Sequence, residues 1–216
     1  MRSRFADTFN HDADAPDYDV DVQNEAHPVR AGYAELLAWV VRSARIEARH
    51  DVLELGAGTG NLTRLLPPSR RVVAVDVSAA MLEIAATKVG GPVEWQRDDL
   101  LEYFDGRTDR FDRFVSTYAI HHLIPAEKEL LFQRIRHAAN PGARVAFGDL
   151  MFASEHDRRD AIERYRHEWP DVAAAIDEEF FWNVDDCVAA LLRSGFSVAT
   201  HRISDLSWGM LATTID

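Results

Sequence analysis

The sequence predicts an α/β fold: a doubly wound, seven-stranded, mostly parallel sheet with an antiparallel last strand and helices on both faces. Two observations predict it. Short apolar runs alternate along the chain with segments of helical period, and a glycine-rich stretch directly follows the first run. Open α/β sheets bind ligands beyond the carboxyl ends of their strands, so this stretch is expected to lie at a ligand site.

The apolar runs are read as buried strands because they are short, rich in valine and phenylalanine, and mostly bounded by Gly, Pro or Asp. Five of them lie within the first 150 residues: DVLEL (51–55), RVVAVD (71–76), VEWQ (93–96), FDRFVS (111–116) and ARVAFGDL (143–150). Strands that alternate with helices at this spacing indicate a parallel sheet covered on both faces.

Helix signals stand between the strand signals. Ser78 can cap a helix that Gly90 and Gly91 stop, and Pro125 can open a helix that ends before Asn140. The alternation of strands and helices therefore continues through the fifth strand.

The last third of the chain completes the sheet. A final helix begins after Asn183 and presents Val188, Leu191 and Leu192 on one face, and it ends at Gly195. FSVATHR and LSWGMLATTI follow with only a short turn between them, which predicts a hairpin whose final strand runs antiparallel.

Composition bounds the partners. The formal charge is −12, from 36 acidic and 24 basic residues, which disfavours a nucleic-acid backbone or an anionic membrane as a partner and favours a small molecule. The single cysteine, Cys187, permits no internal disulfide, and the first residues lack the apolar core of a signal peptide. We expect a cytoplasmic protein without membrane spans, and the sequence leaves open whether it is a monomer or a homodimer.

The stretch VLELGAGTGNLT, residues 52–63, carries the most specific signal. Glycines that follow a strand permit positive φ and let a ligand approach the backbone. Their spacing is G-x-G-x-G, and Asn61 stands where a dinucleotide fingerprint requires its third glycine. Asp76, 20 residues after Gly56 at the end of the second strand, can accept both hydroxyls of a ribose. A nucleoside without a pyrophosphate therefore fits better than NAD, and Glu54 adds a carboxylate that either faces an amino group of the ligand or is simply solvated.

Four motifs in order, ELGAGTGNLT, VDVSAAML, QRDDL and FDRFVSTYAIHHL, resemble the class I S-adenosylmethionine-dependent methyltransferases, which have a Rossmann-like fold. Within that superfamily, VSTYAIHHL and the ending HRISDLSWGMLATT are similar to uncharacterised bacterial small-molecule methyltransferases of the YrrT type. The resemblance covers most of residues 33–213. It implies an enzyme that moves a methyl group from S-adenosyl-L-methionine to a small-molecule acceptor.

The resemblance also implies roles for single residues. The glycine backbone would pass beneath the methionine and ribose of the cofactor, Asp76 would hold the ribose hydroxyls, and Asp98 would accept a hydrogen bond from the adenine amine. Asp99 is an open alternative for that bond, and Met81 is equally well explained as core packing. The cofactor set implied in this way is Glu54, Gly56, Ala57, Gly58, Gly60, Asp76, Val77, Met81, Asp98, Asp99, Leu100 and Ser116.

The acceptor side follows the fourth strand, where Tyr118, His121 and His122 are the candidate catalytic residues. A sulfonium leaving group is already activated, so a base is needed only if the acceptor carries a proton, which a histidine removes near neutral pH. The alternative is that both histidines cap the next helix or line the pocket. No metal site is expected, because adjacent histidines point in different directions and no nearby third ligand completes a set.

We divide the chain into one domain with four parts: an N-terminal lid or cap (1–45), a cofactor-binding core (46–150), an insertion that builds the acceptor pocket (151–182), and the last helix with the hairpin (183–216). Six aspartates between Asp7 and Asp21 predict that residues 1–30 are a mobile lid, and a helix starting after Gly32 is expected to lie over the site.

Three rival functions remain open. The first is an NAD-dependent oxidoreductase, which Asn61 disfavours; the second is an aminopropyl transferase on the same fold; the third is a non-catalytic cofactor-binding module.

Overall fold

The computed structural model of the chain describes residues 1–215, except the side chain of Asp177. One sheet, in the strand order β3-β2-β1-β4-β5-β8-β7, organises the chain, and the short β6 pairs with the end of β5 outside this path. β8 alone runs in the direction opposite to the other strands and is antiparallel to both β5 and β7, so the predicted fold class is confirmed. The strands are β1 (Asp51–Leu55), β2 (Arg71–Asp76), β3 (Glu94–Arg97), β4 (Phe111–Thr117), β5 (Ala139–Phe152), β6 (Trp182–Asn183), β7 (Phe196–Arg202) and β8 (Ser207–Thr214).

The strand order reverses at β1, which has β2 on one side and β4 on the other. Both neighbours are parallel to β1, and Glu54 lies opposite Ala74 on β2 and Val115 on β4. The loops that leave the carboxyl ends of these three strands therefore meet at one edge, which is where such sheets bind ligands.

Helices cover both faces of the sheet. α2, α5 and α6 belong to one apolar cluster, and α4 and α7 belong to the other. The helices are α1 (Tyr18–Asp21), α2 (Tyr33–Ala44), α3 (Ala79–Lys88), α4 (Pro125–Ala138), α5 (Glu155–Glu168), α6 (Pro170–Glu178) and α7 (Val184–Arg193).

The sequence had led us to expect α2 over the site. In the structure α2 lies against the face of the sheet instead. Two glycines that face each other across β5 and β8 explain this position. A Cβ on Gly148 would lie 2.5 Å from Leu36, and one on Gly209 would lie 2.5 Å from Trp39. Because these Cβ atoms are missing, α2 packs directly on the strands, and only its first residue, Tyr33, reaches the cavity described below.

Several local predictions can be compared with the structure. Ser78 caps α3, since its hydroxyl accepts a hydrogen bond from the Met81 amide at 3.1 Å. The predicted hairpin is β7 and β8. Leu192 was wrongly placed on the buried face of the last helix: α7 packs through Val184, Cys187 and Leu191, and Leu192 is 53% exposed. One position further along a helix turns a side chain away from such a face.

The first 30 residues form no strand of the sheet. They comprise turns, α1 and a 3-10 turn at Pro28–Arg30, and they lie across the carboxyl ends of the strands, where several of them line the cavity. Ala15 and Val22 are each only 2% exposed, so this segment has a small apolar anchorage of its own. Within the described residues, no helix has both the length and the apolar character needed to cross a bilayer.

Candidate functional site

A cavity lies at the carboxyl ends of β1, β2 and β4, beneath the N-terminal segment. Its wall is built by the loops after these strands, by residues of the first 33 positions, and by the end of α6. Most of the predicted site residues lie on this wall: Gly56, Ala57, Gly58, Asp76, Val77, Met81, Asp99, Leu100, Tyr118, His121 and His122. Glu54, Gly60, Asp98 and Ser116 do not.

The three glycines after β1 all have positive φ, but they serve different purposes. A Cβ on Gly56 would collide with Ala119, and a Cβ on Gly60 would lie 2.8 Å from Val89 of the α3 terminus. These two glycines allow the loop to pack against its neighbours. A Cβ on Gly58 would meet no atom within 4 Å. Gly58 is therefore the position where the backbone faces open cavity.

Asp76 holds this loop in place. One of its carboxylate oxygens accepts a hydrogen bond from the Gly58 amide at 2.7 Å, and the other accepts one from the Ser78 amide at 2.9 Å. Burial raises the pKa of Asp76, and these amide hydrogen bonds offset only part of that rise. The carboxylate is thus aimed at the cavity and costs energy when charged, which is the situation in which a hydrogen-bonding or cationic ligand is most stabilising.

Glu54 lies behind the loop and is 1% exposed. Neither of its carboxylate oxygens makes a well-formed hydrogen bond within the described part of the chain, although Thr63 is near enough to lower its pKa. Burial raises the pKa of Glu54 to about 8, and the charge of Asp76 adds to this effect. Two buried carboxyl groups without a cation therefore stand at the glycine loop.

Replacement of Glu54 by Gln is expected to flatten the pH dependence of stability. Because the pKa of Glu54 is raised from 4.5 to about 8 on folding, ionisation of Glu54 favours the unfolded chain, and the stability is lost as pH rises between these values. The upper limit is about 1.4 kcal/mol per pH unit. Urea unfolding of both proteins between pH 5 and pH 8 measures the difference. Glu83→Gln, at an exposed position of α3, is the control, and parallel profiles for wild type and Glu54→Gln would contradict the prediction.

The structure separates the two adjacent aspartates after β3. Asp99 lies on the cavity wall, where its carboxylate accepts hydrogen bonds from the Ser3 amide at 3.0 Å and the Leu101 amide at 2.9 Å. Asp98 accepts from the Asp99 amide and lies 3.8 Å from Arg107, outside the wall. Of the two aspartates that the sequence left open, Asp99 therefore lies on the cavity wall and Asp98 does not, and the adenine contact stays a prediction.

Ser116 and Met81 are both buried, but only Met81 reaches the cavity. The Ser116 hydroxyl donates to the Leu55 carbonyl at 2.7 Å, so it ties β4 to β1 and does not reach the cavity. Met81 is 2% exposed and belongs to the packed face of α3, yet it also lines the cavity beside Val77. The two interpretations of Met81, packing and ligand contact, are thus compatible.

His121 lies between two carboxylates. Its Nδ1 donates to Asp149 at 2.5 Å, and its Nε2 lies 3.3 Å from Glu179 at the end of α6. Burial lowers the pKa of His121, but Asp149 and Glu179 outweigh that effect and raise the pKa to about 9. His121 is therefore protonated near neutral pH and is poorly suited to accept a further proton.

His122 has the opposite character. Burial lowers its pKa well below the ordinary value, and the charge of His121 lowers it further. Its ring stacks on Phe9 with centroids 4.5 Å apart, and its Nε2 lies 3.3 Å from the Nε2 of His11. Its Nδ1 is buried without a hydrogen-bond partner within residues 1–215. Of the two histidines, His122 is the one that is neutral at pH 7.

Tyr118 contributes its ring more than its hydroxyl. The hydroxyl lies 3.1 Å from the Ser207 hydroxyl and is buried, and the ring stacks on Tyr33 with centroids 5.4 Å apart. Burial raises its pKa, so it stays a phenol. Its φ of 51° is unusual for a residue with a side chain, and such strain commonly marks functional loops.

The structure adds a potential third ligand that the argument against a metal site did not consider. Glu179, far along the chain in the insertion, lies with His121 and His122 so that one ligand atom of each is within 4.8 Å of the others. No local spacing in the sequence connects these residues, since α5 and α6 must fold back over the loop before they meet.

The sequence reasoning also missed Arg30 and Asp149. The Arg30 guanidinium lies 5.4 Å from the Tyr18 ring centre and 5.8 Å from that of Tyr118, and it pairs with no carboxylate among the described residues. Asp149 near the end of β5 was detectable in principle, because a polar residue in a buried strand of an α/β sheet is a functional signal. Arg30 had no such signal.

Two aspartates anchor the N-terminal segment. The Asp19 carboxylate accepts from the Thr59 hydroxyl at 2.6 Å, from the Asn61 amide group at 2.9 Å and from the Lys88 ammonium at 2.6 Å. Asp12 accepts from the Ser78 hydroxyl at 2.6 Å and so reaches the N-terminus of α3. The acidic residues that predicted mobility therefore also dock the segment onto the glycine loop.

Comparison with known proteins gives a consistent result. A family model described as a methyltransferase domain matches residues 52–142. An uncharacterised methyltransferase of Geobacillus kaustophilus is 32% identical over 215 residues, which cover 98% of each chain. Among solved structures, magnesium protoporphyrin IX methyltransferase from Synechocystis, with bound S-adenosylhomocysteine, superimposes with a TM-score of 0.66 at 18% identity, covering 87% of this chain and 86% of that one. A Haloferax volcanii chain in complex with the Trm112 methyltransferase activator gives 0.68 at 18% identity, covering all of both chains.

Proposed function

The chain belongs to the class I S-adenosylmethionine-dependent methyltransferases, and from this we propose that it transfers a methyl group from S-adenosylmethionine to a small-molecule acceptor held beneath the N-terminal segment. The observation that carries the proposal is the shape of the cavity. It joins the glycine loop to the histidine loop, and residues of the first 33 positions cover it. A covered cavity of this kind favours an acceptor that enters whole over a macromolecular surface.

The residues at the glycine loop fit the cofactor. S-adenosylmethionine carries a sulfonium and an ammonium, and Asp76 provides a carboxylate on the cavity wall for such a ligand. Glu54 lies behind the loop, and its raised pKa of about 8 keeps it mostly neutral at pH 7. The open space at Gly58 admits the ligand to the backbone. Arg30 lies on the cavity wall without a carboxylate partner among residues 1–215, and it would meet the methionine carboxylate.

The cofactor supplies a methyl group on an activated sulfonium, so the chain has to orient the acceptor and exclude water. Phe9, Tyr18 and Phe181 line the cavity and make it partly apolar. His122, neutral at pH 7, is the residue we propose to take the proton from an acceptor that carries one. His121, held between two carboxylates, would instead support the charge balance of the site.

Two alternatives use the same fold. An aminopropyl transferase would bind decarboxylated S-adenosylmethionine, and the Arg30 guanidinium, which has no carboxylate partner among residues 1–215, favours a ligand that has kept its carboxylate. A non-catalytic module would bind the cofactor without turnover. If turnover required a protein activator such as the one bound to the Haloferax chain, this chain would be inactive when assayed alone.

S-adenosylhomocysteine formation tests the proposal. The full chain is incubated with S-adenosylmethionine and a panel of small acceptors that includes thiols and other sulfur compounds, phenols and amines. Calorimetry with S-adenosylmethionine, S-adenosylhomocysteine and NAD runs in parallel. Tight cofactor binding with no product from any acceptor would favour the binding module, and preference for NAD would overturn the assignment.

Removal of residues 1–24 is expected to separate binding from turnover. The truncated chain loses Phe9, His11 and Tyr18 from the cavity wall, so water enters, while the glycine loop and Asp76 remain. We expect S-adenosylhomocysteine affinity within about tenfold of the full chain, roughly 1.4 kcal/mol, and a much larger loss of turnover.

A point variant tests the same idea in the full chain. Asp19→Ala removes the carboxylate that docks the segment on Thr59 and Lys88, and Asp21→Ala, exposed on the same helix, is its control. Hydrogen exchange across residues 5–24 is expected to be faster in Asp19→Ala than in Asp21→Ala and to slow when ligand binds. Equal exchange in all states, with full activity of the truncated chain, would show that the segment is not a lid.

A further inference from the structure

We propose that His121, His122 and Glu179 form a binding site for one divalent transition-metal ion, with zinc as the best match to the ligand set. All three residues lie on the cavity wall, so a coordination position that they leave open faces the cavity.

The first argument is distance. One ligand atom from each of the three residues lies within 4.8 Å of the other two, and Nε2 of His121 is 3.3 Å from a carboxylate oxygen of Glu179. In a tetrahedral zinc site with bonds of about 2.0–2.2 Å, neighbouring ligand atoms are about 3.3–3.6 Å apart. The His121–Glu179 pair already has this separation, and small rotations of side chains bring in the third ligand.

The second argument is the support behind His121. The Asp149 carboxylate accepts from Nδ1 of His121 at 2.5 Å, and it also accepts from the backbone amides of Ile120 at 2.8 Å and His121 at 3.1 Å. Asp149 is 1% exposed. A carboxylate that holds one imidazole nitrogen directs the other nitrogen outward, which is the usual arrangement behind a metal-bound histidine. Here the free nitrogen is directed towards Glu179.

The third argument is the unsatisfied state of His122. Its Nδ1 is buried and has no hydrogen-bond partner in residues 1–215, and its Nε2 faces another imidazole nitrogen, that of His11, at 3.3 Å. A buried polar atom without a hydrogen-bond partner destabilises the folded chain, because its hydration is lost and not replaced. A metal ion bound by His122 satisfies one nitrogen and leaves the other as an N–H donor towards its neighbour.

The ligand set indicates the kind of site. Two histidines and one glutamate, with a position left for water or substrate, are typical of catalytic zinc sites, whereas structural sites are closed by four protein ligands. A metal there would lower the pKa of a thiol or water bound at the open position, and this effect would replace the base role proposed for His122, whose nitrogen is then a ligand. This last consequence rests on the proposed function, since it gives the metal a role towards the acceptor, but metal binding itself does not.

Titration of the full chain with zinc alone tests the site, and it needs neither cofactor nor acceptor. Calorimetry at pH 8, where protons compete less for the imidazoles, is expected to show one zinc per chain. Cobalt is expected to give the visible absorption of a four-coordinate site. Glu179→Gln, at a position that is 23% exposed and thus tolerant of change, and His122→Ala are each expected to weaken zinc binding at least tenfold.

The matched control is His156→Ala, which removes an exposed histidine that is paired with Asp160 on α5. It should leave the stoichiometry and the affinity unchanged. The proposal is overturned if the wild-type chain binds no stoichiometric zinc, or if Glu179→Gln and His122→Ala, both with native circular dichroism, bind as the wild type does. The zinc titration contains no cofactor or acceptor, so its result does not depend on whether the chain catalyses methyl transfer. Failure of the zinc proposal is therefore distinguishable from failure of the proposed function.

Discussion

Gly58→Val is expected to abolish detectable S-adenosylmethionine binding while leaving the far-ultraviolet circular dichroism native. A Cβ at this position would meet no protein atom within 4 Å, so the added side chain extends into the open cavity. The same space is where the ligand would approach the backbone, so the valine side chain excludes it. We expect at least a hundredfold loss of affinity by calorimetry, about 2.7 kcal/mol.

A matched variant, Gly106→Val, separates the effect of backbone strain from the loss of space for the ligand. Gly58 has φ of 53°, which a β-branched residue adopts at a cost of order 1–3 kcal/mol. Gly106 has φ of 72° and is equally open, but it lies in a turn remote from the cavity wall. Gly106→Val is therefore expected to lose comparable stability and to keep full affinity. Retained binding in Gly58→Val would mean that the loop does not approach the ligand, and the cofactor assignment at this cavity would fail.

Asp76→Ala is expected to weaken S-adenosylmethionine binding by about 1.5–3 kcal/mol, the range for hydrogen bonds to a charged group. Two effects combine. The ligand loses the carboxylate that is aimed at the cavity, and the Gly58 amide loses the acceptor that holds it at 2.7 Å. Asp76→Asn keeps one acceptor oxygen, so its loss of affinity should be smaller than that of the alanine variant.

The control for Asp76 stands at the other end of the sheet. Asp112 at the start of β4 also accepts a hydrogen bond from a backbone amide, that of Asp51, at 2.9 Å. Asp112→Ala is expected to lower stability without changing cofactor affinity, because it lies at the amino ends of the strands. Calorimetry on the folded variants decides: an unchanged dissociation constant in Asp76→Ala removes this residue from the ligand site.

The sequence by itself determined the scaffold. The bounds of β1 and β2 coincide with the predicted runs, and the class of sheet, the capping of α3 by Ser78 and the place of Asp76 at a strand end were all predictable. These features depend on interactions within a few residues of one another, such as strand periodicity, cap chemistry and glycine backbone freedom. Local patterns record such interactions, so they can be read without a structure.

Tertiary structure decided which of these residues face the cavity. Gly58 and Gly60 belong to one motif, yet α3 packs against Gly60 and leaves Gly58 open. Asp98 and Asp99 are adjacent, yet only Asp99 lies on the wall, where it meets Ser3 across 96 positions of sequence. Neither outcome is encoded in the motif, because each depends on a segment that arrives from elsewhere in the chain.

The same reason explains the groups that no pattern predicted. Glu179 reaches His121 only because α6 ends above the loop after β4, and Asp19 reaches Lys88 only because the N-terminal segment crosses the ends of the strands. The sequence shows which residues carry charge, but whether a charge stabilises or destabilises the folded chain depends on its distance to other charges and on its burial. An aspartate that is solvated in an extended tail favours disorder, whereas the same aspartate 2.6 Å from a lysine ammonium docks the tail onto the site.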